Sequence, residues 1–215
     1  MRSPRALPAL AAAAIVGQVA LTASAWLLPG ASEYGLLGDT ISELVLGRYG
    51  WVQTMAFLCA GLGTIALALA VRALTTGTRG SLLGAALVGV YGAGALVSAA
   101  FPTDPIDSPE ALSSLTTTGT IHVAASLVSF PSAVIFMFVF ARTFGRDARW
   151  RPLAMWSGLC ASGTLALLLV QAQGPLVGLL QRLMVGVVTV WLVMVAFRVR
   201  AIALNPTVGG APVPG

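Results

Sequence analysis

Residues 50–72 read GWVQTMAFLCAGLGTIALALAVR, a run without a charge until Arg72. About 20 apolar residues in a helix cross the ~30 Å of a bilayer's hydrocarbon. A strand fits poorly, because the run is too long and lacks alternation of period two. This stretch therefore predicts a membrane-spanning helix. Working outward from it, five more runs of the same kind appear, at 8–29, 81–101, 118–142, 152–173 and 176–199. The expected fold is all-α, a polytopic bundle of six transmembrane helices within one membrane domain, 1–202. The Pro/Gly-rich segment 203–215 is expected to be a disordered tail.

Composition agrees. Hydrophobic residues make up 57% of the chain and charged residues only 9%, against about a quarter charged in a soluble domain. The 24 glycines suit helices that pack closely in lipid. Cys59 and Cys160 both fall inside predicted spans, where they read as small packers rather than a disulfide.

The breaks between spans alternate in charge. All twelve basic residues are arginine. Arg2, Arg5, Arg72, Arg79, Arg142, Arg146, Arg149, Arg151, Arg198 and Arg200 lie at the termini and in the second and fourth breaks. Glu33, Asp39, Glu43, Asp104, Asp107 and Glu110 lie in the other breaks. Arginine-rich loops remain cytoplasmic, so both termini are expected inside a multi-pass cell-membrane protein and the acids outside. The net charge of +5 follows from this topology. The arginines form no continuous stripe, so nucleic acid is not an expected partner.

The first run has a competing reading. Arg2, Arg5 and Ala23-Ser24-Ala25 resemble a secretory signal with a cleavage site. The apolar run continues through Leu28, which favours a retained helix. Ser108-Pro109-Glu110 reads as a helix start, Gln173-Gly174-Pro175 as a tight connection between antiparallel helices, and Pro131 as a mid-span kink.

The candidate chemistry gathers on the acidic side. In a helix, Asp39 and Glu43 would share a face ~6 Å apart, and such a pair can keep one carboxyl protonated as a general acid. Thr40-x-x-Glu43 equally fits a capping box, with Asp39 a simple cap. His122 lies ~30 Å along its helix from Arg142, at the outer boundary. It begins a stripe with Ser126 and Ser129 that should face the bundle. His122 is read as a proton partner or as a hydrogen-bonded interfacial residue. Arg182, with Gln181 beside it, lies inside an apolar run. It either snorkels or turns inward to pair with Asp39, Glu43 or Asp104 and hold an anionic group. Asp104, between Pro102 and Pro105, is a rigidly placed acid or a turn-former. Asp107 and Glu110 read as solvated charges. Tyr91, Ser98, Gln18 and Thr22 read as interhelical hydrogen bonders. A single histidine leaves no multi-histidine zinc site, and neither a Gly-x-Ser-x-Gly elbow nor a phosphate loop occurs. No cofactor or metal is implied.

The order Asp39-Thr40-Ile41-Ser42-Glu43-Leu44, Gly47-Arg48-Tyr49-Gly50-Trp51, Phe101-Pro102-Thr103-Asp104, Gly119-Thr120-Ile121-His122 and Gln181-Arg182 resembles the prokaryotic integral membrane proteins of domain-of-unknown-function family 998. The resemblance covers residues 10 to 200 and implies six helices without an assigned activity. A fainter resemblance, to the membrane hydrolases that include alkaline ceramidases, stops at the several zinc-binding histidines of that group. Intramembrane isoprenoid cyclases are similar in size, helix count and paired acids.

The leading expectation is an intramembrane enzyme acting on a hydrophobic lipid or isoprenoid substrate by acid-base chemistry, cyclisation or hydrolysis. Asp39, Glu43 and His122 would be catalytic, and Arg182, Gln181, Asp104 and Ser126 would bind substrate. Membrane lipids are the expected partners. The alternative is a non-catalytic lipid-binding, sensory or assembly module. A small transporter ranks third, since broken helices in matched halves are absent.

Overall fold

The computed structural model describes residues 6–31, 33–75, 77–105, 111, 113–170 and 174–205. Among the described residues, six helical segments are each long and apolar enough to span a membrane. The helices are α1 (Ala6–Leu27), α2 (Gly50–Leu74), α3 (Arg79–Ala100), α4 (Thr117–Phe144), α5 (Ala154–Val170) and α6 (Val177–Leu204), and the fifth span begins at Arg151 with the 3₁₀ turn Arg151–Leu153 that leads into α5. No strand occurs among the described residues. The chain is thus an all-helical, multi-pass membrane protein.

Local chemistry explains the boundaries. Pro29 disfavours the helical conformation at Leu28, and α1 stops at Leu27. Thr78 caps α3 by accepting from the Ser81 amide at 3.1 Å, and Thr116 caps α4 by accepting from the Gly119 amide at 3.2 Å. α4 runs uninterrupted through Pro131. α6 continues to Leu204, so residues 203 and 204 are helical and not part of a disordered tail. The rest of that tail from 206, Ser108-Pro109-Glu110, Asp107 and Gln173 lie outside the described residues.

Each helix packs on its neighbour in sequence, and α6 returns to pack on α1 and more lightly on α2. Glycine sets the closeness of the first seams. A side chain at Gly17 would run into the main chain of Cys59 and Ala60, and one at Gly63 into Ala13 and Ala14. Gly61 and Gly92 stand in the same relation between α2 and α3. Such small-residue contacts let backbones approach where lipid offers no hydrophobic drive for association.

The bundle has two unlike ends. The arginine end is filled by aromatic rings: Phe136 and Trp191 with centroids 5.0 Å apart, Phe140 and Phe144 at 4.9 Å, Phe144 and Trp150 at 4.6 Å. The Trp191 indole N–H donates to Ser157 Oγ at 2.9 Å, joining α6 to α5. Arg149 donates to the Leu74 carbonyl at 3.1 Å, and Arg198 Nε to the Arg149 carbonyl. Arg200 reaches the Pro8 carbonyl at 3.5 Å, so the start of α1 and the end of α6 share this face. The acidic end carries Glu33, Asp39, Glu43 and Asp104 on its loops, above a smaller core of Leu21, Ile41, Phe57 and Val185. Cys59 and Cys160 are both free thiols.

Candidate functional site

The loop between α1 and α2 folds down onto the start of α6. Residues 39–42 are not helical, and the helical stretches among the loop's described residues are two short 3₁₀ turns, Pro29–Ala31 and Glu43–Leu46. Asp39 and Glu43 therefore do not share a helical face. The Asp39 carboxylate accepts the Gly35 amide at 2.6 Å. Glu43 Oε2 accepts the Thr40 amide at 2.7 Å and the Thr40 hydroxyl at 2.8 Å, and the Glu43 amide donates back to Thr40 Oγ1 at 3.4 Å. This reciprocal pair is the capping-box geometry. Beside these acids the Tyr34 hydroxyl is pushed above its ordinary pKa by burial, then by the charges of Glu33, Glu43 and Asp39.

α6 grips the same loop through main-chain atoms. Gln181 Oε1 accepts the Ile41 amide at 2.6 Å. Arg182 is 1% exposed and turns inward. Its Nε donates to the Ala25 carbonyl at 2.8 Å, and its Nη1 to the carbonyls of Leu36 at 3.1 Å and Asp39 at 2.6 Å. Asp39 thus meets Arg182 through its main-chain oxygen, while its carboxylate closes a turn. Gly178 makes room for this approach, since a side chain there would collide with the Asp39 carbonyl. A guanidinium has five N–H donors in a fixed fork, which suits it to splinting the carbonyls of a tight loop.

Asp104 is likewise a fastener. Its carboxylate accepts the Thr116 amide at 2.6 Å and the Thr116 hydroxyl at 2.9 Å. The clamp holds the segment after α3 against the start of α4, where Phe101 faces His122.

His122 is 3% exposed. Its Nδ1 lies 2.9 Å from the Phe101 carbonyl and its Nε2 lies 2.9 Å from Ser42 Oγ. A carbonyl can only accept, so Nδ1 carries a proton. In the neutral ring Nε2 is then the lone-pair nitrogen, and the Ser42 hydroxyl donates to it. A hydroxyl on a histidine whose far nitrogen is fixed by a third group is the arrangement of an activated serine nucleophile. Here the third group is a main-chain carbonyl.

Ser42 also lines a cavity of about 60 Å³ in the bundle, together with Gln18, Tyr91, Ser98, Ser126 and Gln181. Gln18 spans helices by donating to Thr64 at 3.0 Å and accepting from Thr189 at 3.0 Å. Because Ile41 occupies Gln181 Oε1, the amide NH2 is the Gln181 group left to donate. The structure therefore brings Ser42, Ser126, Gln181 and the His122 ring to one place. It distributes Asp39, Glu43, Asp104 and Arg182 around it as supports of the main chain. Ser42 was hidden in the sequence as a spacer between two acids. No group of three metal-ligating side chains occurs among the described residues.

Six apolar helices closed over a polar cluster at one end define a polytopic integral membrane protein. The chain belongs to the family described as Protein of unknown function (DUF998), whose model matches residues 7–198. No curated protein and no solved structure matches it.

Proposed function

We propose that the chain is an intramembrane enzyme that hydrolyses, or transfers, an acyl group on a lipid or isoprenoid ester at its acidic face. The observation carrying this reading is the 2.9 Å contact between Ser42 Oγ and the lone-pair nitrogen of His122. Ser42 Oγ attacks the ester carbonyl while Nε2 takes its proton. The Phe101 carbonyl, on Nδ1–H, holds the ring and favours the imidazolium that forms. The Gln181 amide is the donor available to the tetrahedral oxyanion. The imidazolium then protonates the departing alkoxide. The oxygen of water, or of an acceptor alcohol, then attacks the acyl carbon as Nε2 takes its proton, and that proton passes to Ser42 Oγ as the acyl–oxygen bond breaks.

Asp39 and Glu43 are engaged by main-chain amides, which favours serine chemistry over cyclisation started by a carboxylic acid. Substrate would enter from the bilayer, and the excess of arginine at the opposite end supports a cytoplasmic position for both termini. One observation favours the non-catalytic alternative. At about 60 Å³ the cavity holds a few waters, so an ester must open it further, whereas a structural latch needs no more room.

An alkyl fluorophosphonate applied to the purified protein distinguishes them. Covalent labelling at Ser42, absent in Ser42→Ala and in His122→Asn, is the expected result. A correctly folded wild type that stays unlabelled would mean the pair is a latch between the loop and α4.

A further inference from the structure

α6 is flanked by α1 on one side and α5 on the other, and a second hollow runs between these neighbours with α6 as its floor. It is an open, mostly apolar groove of about 620 Å³, within the usual size of a small-molecule site. Trp26 and Trp156 stand on its walls. Gly163 and Gly186 leave it wide, since a Cβ on either would meet nothing within 4 Å.

Two of its lining residues carry buried polar atoms without a partner, Arg182 Nη2 and Thr22 Oγ1. They lie at the same depth. Thr22 is five residues before the end of α1 and Arg182 five residues after the start of α6, each ~7.5 Å from its helix end. Below them the groove follows α6 to Met194, twelve residues or ~18 Å on. A guanidinium nitrogen left unbonded costs more than a neutral donor would. Asp39 and Glu43 lie within electrostatic reach of Arg182, but its Nε and Nη1 already hold the loop those acids belong to.

We infer that this groove binds one anionic membrane lipid, with a headgroup oxyanion on Arg182 Nη2 and the Thr22 hydroxyl and an acyl chain laid along α6. Charge selects the occupant. A neutral lipid chain or an apolar helix of a second copy would fill the groove but leave the guanidinium nitrogen without an acceptor. A zwitterionic phosphatidylcholine would bring its choline cation beside the guanidinium, whereas the phosphate of an anionic lipid supplies a charge-assisted bond without that like charge. The inference does not depend on Ser42 or His122.

The test uses tryptophan quenching in phosphatidylcholine bilayers containing a small fraction of brominated phosphatidylglycerol or brominated phosphatidylcholine. Trp51, 69% exposed on α2, is replaced by Phe to lower the background. Brominated phosphatidylglycerol should quench at roughly tenfold lower mole fraction, the preference that about 1.4 kcal/mol of like-charge repulsion between choline and the guanidinium supports. Gly163→Leu and Gly186→Leu, whose Cβ atoms would meet nothing within 4 Å and whose side chains extend into the groove space, should remove that preference, and Thr22→Val should weaken it. These variants keep the test sound if Arg182→Gln fails to fold. Equal quenching by the two lipids would overturn the inference. So would a preference that survives both leucine variants, or a dimer whose groove tryptophans are shielded from both lipids.

Discussion

Ser42 Oγ and His122 Nε2 meet at 2.9 Å although 80 residues separate them in the chain. Four other contacts hold them there. Thr40 with Glu43 and Ile41 with Gln181 shape the turn carrying Ser42. Asp104 with Thr116 and Phe101 with His122 set the ring.

Ser42→Ala removes one hydrogen bond and little volume. It should lower stability by about 1–3 kcal/mol, since Nε2 of the buried His122 loses its partner, while abolishing covalent labelling and any esterase turnover. Denaturation in detergent followed by circular dichroism, run beside the labelling assay, checks both.

Glu43→Ala opens the capping box and leaves the Thr40 amide without its acceptor. A loss of about 0.5–2 kcal/mol is expected from the cap. Labelling at Ser42 should also slow, because the turn that aims its hydroxyl is released. A slower rate at unchanged stability would show that Glu43 acts on the chemistry and not through the turn.

Arg182→Met should be the most damaging single change at this end. It strands the carbonyls of Ala25, Leu36 and Asp39, each costing about 1–3 kcal/mol if left unpaired. Arg182→Lys keeps the charge and fewer donors, so it should fall between wild type and Arg182→Met in melting temperature. Equal melting of all three would remove the splint from the account.

Glycines divide by their surroundings. Gly17→Leu drives a side chain into the main chain of Cys59 and should cost about 1–3 kcal/mol. Gly89→Ala meets nothing within 4 Å and should be neutral or stabilising, by up to about 1 kcal/mol. Melting temperatures in one detergent give the ranking.

At the arginine end, hydrogen bonding to Arg149 holds the Asp147 carboxyl below its ordinary range, against an opposing effect of burial. A lowered folded-state pKa means stability that is present above the unfolded pKa and lost as pH falls through the folded one. Both side chains are about a third exposed, so the contribution is small, under about 1 kcal/mol. Asp147→Asn should flatten the acid limb of a melting-temperature profile against pH. An unchanged limb would assign it to other carboxylates.

The spans were legible because hydropathy is local. Twenty apolar residues state their own solvent, whereas the exact ends at Pro29, Thr78 and Thr116 emerged only with the fold: the first run reads through Pro29 in the sequence, and α1 stops at Leu27. Glu43 and Asp39 carried two valid readings, since the same spacing fits a shared face and a capping box. The backbone chose between them when residues 39–42 stayed out of a helix. Arg182 likewise carried two readings, snorkelling and turning inward, and burial in the fold chose the second. Its partners were not legible, because main-chain carbonyls have no signature in a sequence.

Hydropathy and the placement of arginines and acids were enough for the number of helices, their approximate limits and the end of the bundle on which the polar residues gather. The tertiary structure alone decided that Ser42, a spacer by its neighbours, stands on the lone-pair nitrogen of His122, and that the acids around it hold turns. Burial of apolar side chains adds up residue by residue along the chain. A hydrogen bond depends on where two distant segments are brought together, and no window of sequence contains both.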